Sequence, residues 1–285
     1  MNHKILRLLL KLFPRKEKFF VNPVYPVYYK HAIKKSQPDK RDLNYAQSIF
    51  DVLPESASIS KFLPPVKNQG NIGSCGSFAA ISCFETLQKI QNPEWDIELS
   101  ELFHYWVVRQ KDCLGKNYMG TFPRDSGQNG RDAMRVLANV GATPEKLWPY
   151  NTNKFNDKPD YLASSVARFN RLPEYNSCFS VDSIKSAIVD KKPVWIGIPI
   201  NDDFRKYRGG VFNTFSTPIG GHAMEVCEYD DKDQALRMFN SWDLDWGENG
   251  FGWISHKYVK TAKWPSGTAG FEAWALNSIS HTEKE

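Results

Sequence analysis

Apolar residues recur along the chain with two periods. From Phe78 to Ile90 the apolar positions Phe78, Ala79, Ile81, Leu87 and Ile90 fit one face of a buried helix. That helix is expected to start at or near Cys75 and to end before Pro93. Residues 98–109 read as a second buried helix, and residues 126–141 as a loop followed by a helix that Gly141 terminates. Asn151, Asn153, Asn156, Asp157 and Pro159 form turns, so residues 151–165 read as a connection. The pattern then changes. Residues 181–190 predict a short helix with Asp182 as its N-cap. Residues 193–200 form an unbroken apolar run that suits a buried strand, and residues 220–226 alternate behind a glycine turn.

The ends of the chain differ in character. Ile5, Leu6, Leu9, Leu12 and Phe13 share helical spacing until Pro14 stops the run. Arg7 and Lys11 interrupt it, which makes it a poor signal-peptide core, and it is far too short to span a bilayer. A basic amphipathic helix that touches a membrane surface or a partner is one reading. A helix docked on the body, or a frayed tail, is the other. Pro23, Pro26 and Pro38 make residues 21–44 an extended linker or a strap over the body.

Charge follows the same division. Residues 1–41 hold eleven Lys and Arg against Glu17 and Asp39, a charge of +9. The whole chain carries +5, so the remainder is at −4 and is no basic surface for nucleic acid. A length of 285 residues suffices for one large domain or two subdomains, and 14% aromatics argue against wholesale disorder. Cysteines at 75, 83, 113, 178 and 227 are odd in number and include no Cys-x-x-Cys, so free thiols in a reducing compartment such as the cytoplasm are expected, with no metal site.

Three positions carry candidate chemistry. Cys75 stands where the glycine-rich loop of Gly70, Gly73 and Gly76 becomes a helix, and unpaired N–H groups there favour a thiolate. On its own such a cysteine is more commonly a small buried residue. His222 follows Gly220 and Gly221, which let backbone and solvent approach the ring. Asn240 opens the segment Asn240-Ser241-Trp242-Asp243-Leu244-Asp245-Trp246-Gly247-Glu248-Asn249-Gly250-Phe251. An aromatic-rich hairpin would explain its tryptophans, but not the asparagine ahead of them. His104, at mid-helix beside Trp106, reads as structural, and Cys83 as a core residue.

Together these segments resemble the papain family of cysteine peptidases. Gln69-Gly70-Asn71-Ile72-Gly73-Ser74-Cys75-Gly76 matches the nucleophile motif, with Ile72 where a half-cystine is usual and Gly76 where tryptophan is usual. His222 lies 147 residues after Cys75 and has the family's Gly-His-Ala flanks. The Asn240 segment agrees with the family pattern at every position outside its three free ones. Tyr207-Arg208-Gly209-Gly210-Val211-Phe212 is close to another family phrase. The resemblance covers about residues 42–275.

It implies an α+β fold with a helical half over about residues 42–160, a β-barrel-like half over about 161–285, and a cleft between them. Residues 1–41 would be a basic extension and a candidate prosegment, although the family's long helical prosegment pattern is not recognisable. The resemblance implies Cys75 as nucleophile, His222 as its partner, Asn240 as the group that orients the ring, Trp242 as its shield and Gln69 as oxyanion donor. Gln128-Asn129-Gly130-Arg131 is the local counterpart of a cleft wall, with Gln128 replacing the partner of the half-cystine missing at Ile72. Arg131 would narrow the site or favour acidic residues in the substrate. Gly73, Asn129, Gly130, Arg131, Gly221 and Trp242 are the candidate substrate contacts. The expected activity is peptide hydrolysis through a thioester by a monomer, acting on protein or peptide, with no metal or organic cofactor. A catalytically inactive binding module and an acyl transferase on the same site are the alternatives.

Overall fold

The computed structural model describes residues 7, 8, 10, 11, 33–45, 52–110 and 121–280. Most of the basic amphipathic segment, the Pro23 and Pro26 linker and Cys113 lie outside them. Two apolar clusters organise the rest, one centred on the helices and reaching Trp195, Ala223 and Trp274 of the sheet, the other centred on the sheet.

The first half is built on α1 (Cys75–Gln91), with α2 (Glu101–Val108), α3 (Gly130–Asn139) and α4 (Tyr161–Ala167) around it. Helix α1 is buried on almost every side from Cys75 to Gln88, which is why its apolar positions extend beyond a single stripe. The Asn92 N–H closes its last turn on the Gln88 carbonyl, just before Pro93. Helix α2 is shorter than the sequence predicts. The Ser100 hydroxyl caps it by accepting the Phe103 N–H, and Leu99 bridges to Pro144 instead of joining the helix. Helix α3 ends on Gly141, whose φ of 91° suits glycine. A Cβ there would lie 2.1 Å from the Ala167 carbonyl oxygen.

In the second half, β1 (Ser56–Ser58) joins β2 (Arg171–Ser177), β3 (Val194–Ile200), β4 (Val211–Phe212), β5 (Gly220–Asp230), β6 (Ala235–Phe239), β7 (Phe251–Ser255) and β8 (Glu272–Ser280) in one sheet. The order is β2-β8-β3-β5-β6-β7-β4, with β1 on β5, and only the β4–β7 pair is parallel. Strand β3 is central and buried at all seven positions, as its unbroken apolar run requires. Helices α5 (Val181–Val189), α6 (Asp202–Arg205) and α7 (His256–Thr261) complete this half. The N-cap of α5 is Ser180, in a capping box with Ser183, and not Asp182. Asp182 lies one residue inside the first turn, where its carboxylate pairs with Lys185.

Residues 33–45 run over the body as a strap. The Ile33 N–H donates to the Gly221 carbonyl at 3.2 Å and the Lys34 N–H to the Gln128 carbonyl at 3.1 Å, so adjacent residues bond to opposite halves. Further along, the Ser36 N–H and hydroxyl donate to Glu272, the Arg131 Nε–H donates to Asp42 at 2.9 Å, and Tyr45 N–H reaches the Ser177 carbonyl. Closer to the N-terminus, Arg7 pairs with Asp96, Lys146 donates to the Leu10 carbonyl, and Leu10 packs on the helical core. Among the described residues no helix is long and apolar enough to cross a membrane, and no group of His, Cys, Asp and Glu could hold a metal ion. Cys75, Cys83, Cys178 and Cys227 are buried and form no disulfide.

Candidate active site

Cys75 is the first residue of α1, so its thiol sits at the end where the helix N–H groups lack intrahelical partners. The loop before it is braced on both sides. Gly73 N–H donates to the Asp125 carboxylate at 2.9 Å, the Ser74 hydroxyl meets the Tyr150 hydroxyl, and Tyr105 donates to Asp125. Asp125 thus ties the nucleophile loop to the loop before α3, the kind of link a disulfide would make. Gln128 instead accepts the Ser77 hydroxyl at 2.8 Å, and Ile72 is simply buried.

His222 stands at the start of β5, opposite Ile198 of β3. Its Nε2 is 2.7 Å from the Asn240 Oδ1, and that oxygen also accepts the Ser241 N–H at 2.8 Å. A side-chain amide oxygen only accepts, so the imidazole carries a proton on Nε2. The Trp242 ring covers the pair, its centroid 4.2 Å from that of His222 and tilted by 31°. Phe204 and Trp246 pack behind Trp242. Water is excluded from the His222–Asn240 bond, which low polarity strengthens.

Gln69 is buried beside them and belongs to the front half, yet the back half fixes it. Its Oε1 accepts the Ser241 hydroxyl at 2.9 Å and the Trp242 indole N–H at 3.2 Å, and its Nε2 donates to the Ile72 carbonyl at 3.0 Å. Those contacts orient the amide nitrogen. Trp242 therefore serves two groups, and Ser241 is a contributor that the sequence reading passed over although it lies inside the Asn240 motif.

The two halves meet across Ile33. A Cβ on Gly76 would lie 2.8 Å from the Ile33 Cδ1, and one on Gly221 would lie 2.4 Å from the Ile33 carbonyl oxygen. The residue after Cys75 and the residue before His222 thus both lie against Ile33, the first against its side chain and the second against its backbone. The Trp195 indole N–H adds a direct tie to the Gly76 carbonyl at 3.0 Å.

The other sequence-selected positions are spread around this centre. Asn129 is the N-cap of α3 and accepts the Asp132 N–H. A Cβ on Gly130 would enter the rings of Trp195 and Trp274, so glycine lets α3 approach the back half. Arg131 extends to Asp42 of the strap and lies over the Trp274 ring, while its backbone N–H donates to Glu272. His104 is far from exposed: its Nδ1 meets the Ser77 hydroxyl, its Nε2 the Ala133 carbonyl, and burial pushes its pKa down to about 4.

A family model described as papain family cysteine protease matches residues 53–267. Stem bromelain of Ananas comosus is 26% identical over 222 residues, covering 77% of this chain and 92% of its own. Zingipain-1 of Zingiber officinale is 30% identical over 214 residues, covering 70% and 87% respectively. The crystal structure of xylellain, a cysteine protease from Xylella fastidiosa, superposes with a TM-score of 0.76 at 23% identity, covering 90% of this chain and all of that one. The match to the family model spans both halves and the loops that carry Cys75, His222 and Asn240, and the chain belongs to the papain family of cysteine proteases.

Proposed function

We propose that this cysteine peptidase works through Cys75, His222 and Asn240, with a thioester as the covalent intermediate. The observation that carries the reading is the His222–Asn240 bond under Trp242, with Gln69 held by the same loop. An ordinary thiol near pKa ~8.5 is only a few per cent ionised at neutral pH. The helix end at Cys75 favours the anion, and His222 takes the proton on Nδ1 while Nε2 stays on Asn240. The thiolate attacks the peptide carbonyl carbon. The Cys75 N–H and the Gln69 amide donate to the oxyanion, about 3 kcal/mol for each such donor in comparable sites. Imidazolium then protonates the leaving amine as the C–N bond breaks, and water hydrolyses the thioester to release acid and thiol. An epoxide-type thiol-peptidase inhibitor should label Cys75, detected by mass spectrometry of the tryptic peptide. Hydrolysis that survives Cys75→Ala would overturn the assignment.

The strap supports a second proposal about the same site, self-inhibition. Ile33 lies against Gly76, Gly197 and Gly221, where a substrate would have to pass, and its N–H and that of Lys34 engage the carbonyls of both walls. Removing residues 1–45 should raise kcat/KM by about tenfold or more, since a site that is closed most of the time lowers apparent affinity by its open fraction. Unchanged activity in the truncated, folded chain would refute it.

A further inference from the structure

Strand β5 presents its side chains alternately to two neighbours. Met224 and Val226 enter the β-half core, whereas Ala223 packs with the helical half. Glu225 shares Ala223's face. Its carboxylate accepts the Ser82 hydroxyl of α1. Glu225 is fully buried. An acid in a packed contact between a helix and a strand needs a reason, because apolar residues of similar size would cost less.

The geometry points to Glu225 as a positioning residue that, through Ser82, fixes how far the nucleophile helix is advanced along the histidine strand. This rests on the assignment of Cys75 and His222 above. Ser82 follows Cys75 by seven residues of helix, about 10 Å at the usual rise. Glu225 follows His222 by three residues of strand, again about 10 Å. The tie therefore lies equally far from both reacting groups, and a shift of α1 past β5 would change the separation of thiol and ring directly. Small displacements of that kind lower rate without weakening binding.

The surroundings keep this acid uncharged at neutral pH. Its cross-strand partners are Trp195 on β3 and Phe239 on β6. The titratable groups around it are Glu85 and Cys83 from α1 and Cys227 on β5 itself. Lys67 and Glu101 act on Glu85 rather than on Glu225. Burial first, and Glu85 in addition, push the Glu225 pKa up to about 8, while hydroxyl donation favours the ionised form and acts the other way. Either form accepts the Ser82 hydroxyl, so the tie does not depend on the charge.

The test uses full-length chains and a fluorogenic peptide substrate, with folding checked by circular dichroism and melting temperature. Glu225→Ala should lower kcat about tenfold with KM within about twofold, and Glu225→Gln, the uncharged analogue, should restore most of the loss. Ser82→Ala should lower kcat about threefold. Folded Glu225→Ala and Ser82→Ala chains with native kcat overturn the inference. Should Glu225→Ala fail to fold, Ser82→Ala, with the split between kcat and KM, still decides it. Activity surviving Cys75→Ala would instead strike at the underlying site.

Discussion

Two histidines, His104 and His222, are equally inaccessible to solvent, and their surroundings could hardly differ more. His104 stands in the middle of α2 with a hydroxyl on one ring nitrogen and a backbone carbonyl on the other. Both partners belong to the helical scaffold, and the ring is held neutral. His222 follows two glycines at the mouth of a strand. One nitrogen is committed to a carboxamide, and the ring lies tilted under an indole. Burial therefore does not separate a reactive imidazole from a structural one. The partners do: His104 is tied to a hydroxyl and a scaffold carbonyl, whereas Nε2 of His222 is fixed by a carboxamide that cannot itself take the proton, the arrangement that the proposed proton transfer requires.

The most forceful way to break this contrast is at His222. Replacing it with Gln should lower kcat/KM by about three orders of magnitude, the usual size of general acid–base assistance, while the melting temperature changes little. A loss of less than tenfold, measured with a peptide substrate, would mean that the ring does no proton transfer. Ser241→Ala sharpens the comparison, because it removes one of the two donors that orient Gln69. We expect kcat to fall about tenfold with KM nearly constant, since the oxyanion exists only after attack. A raised KM with kcat unchanged would place Ser241 in substrate binding instead.

His104→Gln should leave kcat/KM of the folded enzyme within about twofold and act on stability. The pKa of the native ring lies at about 4, below its unfolded value of 6.5. The unfolded chain therefore binds the extra proton between those pH values, so the contribution is complete above pH 6.5 and is lost as pH falls towards 4. Melting curves from pH 4 to 7 should be flatter in the variant. A variant with the native slope would show that the ring does not titrate in this window.

What could be read in the sequence follows a similar division. Helix α1, the central strand β3 and the Asn240 segment were legible because each is local: periodicity, a run of apolar residues, and a motif of fixed spacing. The cleft-wall residues were harder. Asp125, not Gln128, supports the nucleophile loop, because a carboxylate on a backbone N–H leaves no trace in residue spacing. Ser180 caps α5 in place of Asp182 because two neighbouring residues are both good caps and only the backbone decides between them. The Ser82–Glu225 tie joins positions 143 residues apart, and neither residue type announces the other. Proline spacing did suggest a strap, but the place of Ile33 between two glycines belongs to the assembled fold alone.

Gly76 gives that assembly an unexpected economy of space. The position immediately after the nucleophile carries no side chain, and the volume it vacates is shared by Gln128 and Ile33. If the strap inhibits as proposed, an incoming peptide has to displace an occupant that the enzyme's own chain supplies. A larger residue at position 76 would have to displace both Gln128 and Ile33, so the size of that residue and the fit of the covering segment are coupled.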